Sequence, residues 1–436
     1  MKFNQAITAF LLAFWLPLSI CGQTRSANQQ PATQLAGSNY LTLEAATEQF
    51  LRKNLTVEAA RFEVGVAEAE RVGARLGPRP GLTVSAENLP VSGGTPASTL
   101  YEFGATFAQP IELGNRKTLR MELAERTVAV SEGRLTQVLR RQLFDLKRTY
   151  YESVLARTLL SIEQENRDNF EGLVRFNTAR FEEGFIAEGD LLKVRLERTK
   201  FDFSVANAAL ALKTRKIRLL ELVGDADYER ADRIDVSGRL QVPTVTLDLV
   251  QLKEAALASR PEVKIAEAEI GRTESLFKLE RSRARGEVVP YVGYKRVGVD
   301  NTVLAGVTVP LPFGNRNQSG IARAEAERKV AETNLHFARN RAQAEVEAAF
   351  HTYETAREQV RAYEAGLLRQ ADESREIQFA AYQEGGTELI TLIEAQRTRT
   401  EVRANYYRAI FEYYTSIFQL ELATGIDINY EYANLR

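Results

Sequence analysis

Two hydrophobic periods alternate along this chain in a fixed order, and the order is given twice. Apolar residues spaced by three and four predict a first helix from about Leu43 to Leu76, with Phe50, Val57, Phe62 and Val66 on its stripe and Pro78 and Pro80 as its stop. Two segments of strand character follow, Leu82 to Asn88 and Tyr101 to Ile111, joined by a Gly/Pro/Ser loop from Pro90 to Ser98. Tyr101, Phe103, Ala105 and Phe107 alternate with Glu102, Gly104, Thr106 and Ala108, so one face of that strand is apolar. Helical spacing returns over Arg116 to about Glu183, a proline-free run with Leu135, Leu139, Leu143, Leu146, Tyr150 and Val154 on its stripe. At about 1.5 Å per residue such a helix reaches roughly 100 Å. It turns back at Gly184 to Gly189 into a helix from Asp190 to about Leu222.

The second half repeats the series. A helix from about Leu249 to Arg283 is interrupted near Pro261, strands Val288 to Val297 and Val303 to Leu311 flank a tight turn at Asp300-Asn301, and a long helix spans Arg316 to Glu384. Its stripe holds Val346, Phe350, Tyr353, Val360 and Leu367, with Gly320 as an interior glycine, and Gly385-Gly386 turns it into a returning helix from Glu388 to about Leu422. Short phrases echo as well. Gln109-Pro110-Ile111-Glu112-Leu113-Gly114-Asn115-Arg116 returns as Val309-Pro310-Leu311-Pro312-Phe313-Gly314-Asn315-Arg316, and Phe181-Glu182-Glu183-Gly184 returns as Tyr382-Gln383-Glu384-Gly385. Duplicated architecture points to a symmetric device, and away from a single catalytic cleft.

The strands admit two readings, a half-buried soluble hairpin or a lipid-facing one, since a transmembrane strand needs only about 9 to 11 alternating residues. The helices likewise admit a plain coiled coil, which would make the protein a periplasmic scaffold without a pore.

Charge and composition narrow the choice. The 57 basic and 58 acidic residues balance, and no basic block marks a nucleic-acid surface. Residues 1–22 read as a signal peptide: Lys2, an apolar core from Ala6 to Leu18, then small and polar residues. A polar, mobile segment is expected over 23–40. Cys21 is the only cysteine; it lies at the processing site, where Leu18-Ser19-Ile20-Cys21 partly resembles a lipobox, so it is either lipidated or removed. No later stretch has the run of about 18 apolar residues that a membrane-spanning helix needs. His336 and His351 stand about four turns apart on one helix, which rules out a shared metal site within a chain, and neither Gly93-Gly94 nor Gly385-Gly386 has phosphate-loop context. No enzyme and no cofactor are expected.

The order of elements, the opening Leu41-Thr42-Leu43-Glu44-Ala45-Ala46, the strand-ending Gln109 to Gly114 and the two glycine turns together resemble the TolC-type outer membrane efflux factor family over Leu41 to Ile426. The Gln-Pro-Ile-Glu-Leu-Gly phrase resembles its cobalt-zinc-cadmium resistance branch. The resemblance implies a mainly α protein with a small membrane β-barrel, built as two structural repeats (41–224 and 247–426). A linker (225–246) lies with the tail (427–436) in an equatorial belt. Four strands cannot close a barrel; two chains would give eight strands and a filled interior, three would give twelve and leave a lumen. A homotrimer with a twelve-stranded β-barrel continued by a long α-helical tunnel is therefore expected. Such a protein is a passive outer membrane duct, extending into the periplasm and exporting metal ions or small toxic compounds. Its implied partners are outer membrane lipid, a periplasmic adaptor (membrane fusion) protein and an inner-membrane, proton-driven efflux pump. At the periplasmic tip Gly184 and Gly385 would reverse the chain, Leu191, Leu192, Leu389 and Leu392 would pack the returning helices, and the adaptor would dock. The family's two acidic entrance residues align with Thr391 and Glu394, so one carboxylate ring, from Glu394, is expected.

Overall fold

The computed structural model describes residues 40–89, 92, 101–311, 313–428 and 431–432. The expected signal peptide with Cys21, the polar segment to residue 39, most of the Pro90 to Ser98 loop and the end of the tail lie outside the described residues. Strand β1 (Tyr40–Leu41) leads into α1 (Leu43–Lys53), whose first turn is capped by the Thr42 hydroxyl accepting from Ala45 N at 3.1 Å. The one helix expected from Leu43 to Leu76 is two, α1 and α2 (Leu55–Ala74), because Asn54 leaves helical ψ (118°) and caps the second helix. Asn54 Oδ1 accepts from Val57 N at 3.0 Å, while its amide donates to the Leu222 carbonyl at 2.8 Å, so a long-range contact holds the break. On the expected stripe Phe50 and Val57 are buried, but Phe62 and Val66 are exposed.

After strands β2 (Gly81–Glu87), β3 (Glu102–Ala108) and β4 (Ile111–Glu112), α3 (Arg116–Glu182) runs 67 residues without interruption, as its pattern predicts. Helix α4 (Glu188–Leu222) returns beside it. The linker then carries a 3-10 turn and the short strands β5 (Asp235–Val236) and β6 (Pro243–Thr244). Next come α5 (Leu249–Ser259) and α6 (Pro261–Arg283), broken at Arg260 with the proline in the first turn.

Strands β7 (Glu287–Val297) and β8 (Asp300–Thr308) pair with Val297 opposite Asp300, so the turn is Gly298-Val299 and the expected turn residues Asp300-Asn301 belong to β8. The second long helix is not continuous either. It starts at Gln318 rather than Arg316, and α7 (Gln318–Ala362) passes through a π-turn at Tyr363–Leu367 into α8 (Leu368–Gln383). Gly366, a second interior glycine beside Gly320, sits in that turn and leaves helical backbone angles. Helix α9 (Leu389–Thr424) and strand β9 (Glu431–Tyr432) complete the described chain.

Helix α3 packs against α2 and α6 towards the sheet and against α4 and α9 towards the turns; α7 packs on α6, and α9 on α7 and α8. The helices therefore lie side by side as α2, α3, α6, α7 at one end and α4, α3, α9, α8 at the other. One main core joins the two halves. Tyr151 stacks on Tyr414 with ring centroids 4.3 Å apart, and Tyr353 packs on Tyr413 at 5.5 Å. The linker is tied to this core: Tyr353 donates to Val245 O at 2.9 Å, Lys216 donates to Ile234 O at 2.8 Å, β5 pairs with β1, and β6 pairs with β9.

Each returning helix ends on a glycine seated against a helix break. Gly224 (φ 72°) lies so near Lys53 that a Cβ would meet its carbonyl, and a Cβ on Gly425 (φ 76°) would lie 2.8 Å from Arg260 Cα. Gly238 (φ 97°) faces open space. Left-handed backbone alone costs a non-glycine residue about 1–2 kcal/mol, and overpacking adds about 1–3 kcal/mol. Gly224→Ala and Gly425→Ala should therefore lower the melting temperature of the detergent-solubilised protein clearly more than Gly238→Ala; equal losses would mean that the two seats are slack.

Candidate functional site: an apolar sheet face and paired helical turns

The strands form one antiparallel sheet in the order β2-β3-β7-β8, with β4 pairing the start of β7. Directly paired residues share a face. The register therefore aligns Leu82, Phe107, Val292 and Ala305 in one row and Val84, Ala105, Tyr294 and Val303 in the next. The opposite face carries Thr83, Ser85, Thr106 and Thr302, and an ion pair between Lys295 and Glu102. The apolar face is the bare one: Leu82 is 70 % and Val303 79 % exposed, and Phe103 and Phe107 are exposed too. A soluble hairpin turns this face inward; here the pattern is that of a strand bathed in lipid on one side and water on the other. Among the described residues strands β2 and β8 end the sheet with unpaired outer edges.

The sheet hands over to the long helices at two corners of similar backbone geometry. Gly114 (φ 76°) and Asn115 (φ 57°) precede α3, while Gly314 (φ 77°) and Asn317 (φ 58°) precede α7. At the first, Arg116 donates to Gly286 O at 2.6 Å, Arg283 O at 3.1 Å and Glu287 Oε1 at 3.0 Å, so it closes the carbonyl end of α6. Arg120 does the same for α2 through Leu76 O at 2.8 Å and Ala74 O at 3.2 Å, while gripping Glu112 with both terminal nitrogens. At the second corner Asn317 donates to Glu280 O at 2.9 Å.

At the other end Gly184 (φ 81°) and Gly385 (φ 76°) take the left-handed position expected of them. Phe185 N donates to Arg180 O at 2.8 Å and Gly386 N to Ala381 O at 2.7 Å, the bond pair of a Schellman motif being completed by Gly184 N to Phe181 O and Gly385 N to Tyr382 O. Leu389 and Leu392 are buried in a small core with Phe170, Leu173, Val194, Tyr382 and Ile393, and Leu191 is buried as well. Leu192 is not: it is 49 % exposed, because α4 turns that side away from α3. Glu394 is exposed and Thr391 partly so. A groove of about 840 Å³ runs between the turns, lined among others by Arg180, Asp190, Lys193, Tyr382, Thr387 and Glu388.

The seam between α3 and α9 holds residues that the sequence reading passed over. Glu165 takes Arg403 at 2.8 Å and Arg399 at 3.2 Å. Burial pushes the Glu165 carboxyl up, but the arginine hydrogen bonds and charges together outweigh it and hold the group below its ordinary range. Asn166, 1 % exposed, accepts from Gln396 at 3.1 Å and Thr400 at 3.0 Å, and the Tyr382 hydroxyl donates to buried Asn177. The available signal was polar residues on an apolar stripe, since Ile162, Asn166, Phe170, Leu173 and Asn177 recur at helical spacing.

His351 lies 3.4 Å from both Glu347 and Glu354 on an exposed helix face. Among the described residues no group of three or more His, Cys, Asp or Glu side chains could hold a metal ion, and no helix is long and apolar enough to cross a membrane.

Known proteins bear on this geometry directly. Residues 46–225 and 252–426 match the family described as "Outer membrane efflux protein". The chain is 25 % identical over 390 residues to the cobalt-zinc-cadmium resistance protein CzcC of Cupriavidus metallidurans, covering 88 % of this chain and 90 % of the relative. It is 28 % identical over 309 residues to the nickel and cobalt resistance protein CnrC of the same organism, covering 69 % and 70 %. In structure it is similar to a solved channel, CusC, with a TM-score of 0.74 over 89 % of this chain and 94 % of that one, at 16 % identity, which speaks for the fold alone. A family of outer membrane channels accounts for the outward apolar face, which a scaffold without a pore does not. The chain belongs to the outer membrane efflux protein family, as a passive outer membrane channel and not an enzyme.

Proposed function

We propose that three copies of this chain close one duct, a twelve-stranded barrel in the outer membrane continued by a helical tunnel into the periplasm. The observation that carries this reading is the sheet, four strands with an exposed apolar face and two open edges. Each unsatisfied backbone group in lipid costs several kcal/mol, so the edges need strands from other copies, and twelve strands leave room for a lumen where eight do not.

The helices support the same assembly once residues 41–224 and 247–426 are read as structural repeats. At a spacing of 200 the buried pairs Leu146/Val346 and Ser153/Tyr353 correspond, and at 206 Phe50/Ala256 and Val57/Val263 do. Their flanks differ. Val130 is 2 % exposed and its counterpart Val330 59 %, while Phe411 is 6 % exposed and its counterpart Leu210 64 %. What α3, α6 and α9 bury against each other within the chain, α7 with α8 and α2 with α4 leave bare at its two sides. A neighbouring copy offers the matching side to each. The linker 225–246, paired through β6 with β9 of the tail, then forms an equatorial belt around the tunnel.

In this reading the helical turns are the periplasmic tip. Gly184, Gly385 and the groove between them, with exposed Leu192, form the surface met by a periplasmic adaptor, behind which an inner-membrane pump, proton-driven in this scheme, supplies the energy. Buried Leu191, Leu389 and Leu392 hold the tip together. Relatives named for resistance to cobalt, zinc, cadmium and nickel support divalent metal ions as cargo. Three Glu394 carboxylates at the entrance, with Thr391 a turn before them, suit cations.

Two measurements test this. Gly133 sits against Ile265 so closely that a Cβ there would lie 2.8 Å from Ile265 Cγ1, and the repeat transfers this contact to Thr333 of one copy and Ala59 of the next. Ala59→Cys with Thr333→Cys, in a Cys21→Ser background, should give oxidised ladders up to the trimer on non-reducing gels; a band at monomer size alone would remove the assembly. For the entrance, Glu394→Gln should lower cation preference and weaken block by multivalent cations in single-channel recordings without loosening the trimer, and Glu388→Gln should matter less. Unchanged selectivity and block in Glu394→Gln would move the constriction to other residues.

A further inference from the structure

The apolar face of the sheet carries one charge. Its positions on β2, β3, β7 and β8 follow from the register, and among the described residues all are uncharged except Arg296 of β7, which stands exposed between Phe103 and Asn301 in the row nearest the Gly298-Val299 turn. Strand β7 lies between β3 and β8, so this row is away from both open edges. The carboxylates of the same rim, Glu87, Glu102 and Asp300, pair across the strands on the opposite face, where Glu102 holds Lys295. The rim therefore keeps its acids on one side of the sheet and turns a base to the other.

The guanidinium is placed but not neutralised. Its Nε donates to the Gly298 carbonyl at 3.1 Å, and among the described residues no carboxylate pairs with its terminal nitrogens. The chain from Pro90 to Leu100, which joins β2 to β3 at this end, contains neither Asp nor Glu. Anchoring through Nε fixes the plane of the group against the turn and leaves the two terminal nitrogens as a fork, the geometry that matches two oxygens of a phosphate.

Its level in the membrane is readable too. The turn lies at the end of the sheet away from the helices, which extend into the periplasm, so Arg296 belongs to the outer leaflet. From Val288 to Arg296 the strand climbs roughly 26 Å at about 3.3 Å per residue, or about 20 Å of bilayer at the usual tilt, which is most of an apolar band about 25 Å tall. Just below, Tyr294 donates its hydroxyl to Asn301 of the Arg296 row, so a second side chain turns its polar end to the same boundary.

We propose that Arg296 binds the phosphate of an outer-leaflet lipid, one per chain, with its terminal nitrogens donating to two oxygens of the group. A positive charge on the lipid side is of no use to a cation in the lumen; it complements an anionic headgroup, and the bond fixes the depth at which the sheet sits. The inference rests on the outer membrane placement of the sheet and goes beyond the trimeric reading above.

The test titrates diphosphorylated lipid A into the detergent-purified channel and reads, by native mass spectrometry, the copies in the assembly and the lipids they retain as separate numbers. Arg296→Gln should weaken retention roughly ten-fold, the loss expected for a charge-assisted pair. Arg296→Lys, which keeps the charge without the fork, should fall between. Lys295→Gln removes an equal charge from the opposite face and should leave retention unchanged, as should equimolar inorganic phosphate. No retention by the unmodified channel, equal retention by Arg296→Gln, an equal loss in Lys295→Gln or displacement of the lipid by the inorganic phosphate would each overturn the proposal. The copy number in the same spectra judges the trimer independently.

Discussion

A strand in hydrocarbon has no water to satisfy its backbone, and that constraint governs this chain. Its sheet turns Leu82, Phe107, Val292 and Val303 outward and keeps Glu102, Lys295 and the threonines on the other face, an arrangement that would be unstable in water and is stable across an apolar layer. Such a layer tolerates no open edge. Among the described residues the chain supplies four strands and leaves two edges, so in the proposed assembly the demand for closure passes from the strands to the number of copies, and from there to the helices that line up beneath them.

The corners transmit that demand. A sheet and a helical bundle have different spacings, and the change from one to the other strands carbonyls at every helix end. Arg116 and Arg120 meet this by donating to Gly286, Arg283, Ala74 and Leu76, so each helix end beneath the sheet is fastened to the start of α3. Further along, the tyrosine core around Tyr151, Tyr353 and Tyr414 joins the two halves at mid-length, and the linker docks there through Tyr353 and Lys216. The halves are thereby bound to one another in the middle and at the sheet, and a smaller shared core of Phe170, Leu173, Val194, Leu389 and Leu392 joins them near the turns.

How much of this is written in the sequence depends on the distance over which each feature is decided. Alternation over seven to eleven residues identified the strands, and a proline-free stripe identified α3, because period and length are local properties. The break at Asn54 was not legible: its partner is the Leu222 carbonyl, 168 residues away, whereas the equivalent break at Arg260 carries its own proline. Asp300-Asn301 has turn chemistry, yet strand register places the turn at Gly298-Val299. Phe62 and Val66 were correctly placed on a helical stripe, but a stripe does not say whether its cover comes from the same chain. Gly366 and the polar seam were missed because each matters only in comparison with the other half. Of the site, the glycine turns were legible from their spacing; the exposed setting of Leu192 and the engagement of Glu165 were not.

A passive channel and a duplicated chain are two sides of one design. A duct needs its wall to be similar all round, and in the proposed trimer a doubled chain would give six-fold similarity from three copies. It need not be exact. The extra residue at Tyr363–Leu367 lets the second half depart from the first at the level where Glu165 accepts from Arg403. In the proposed assembly uniformity would keep the barrel closed, where a gap in lipid is costly, and its loss falls at the far end, in water, where a gap is cheap.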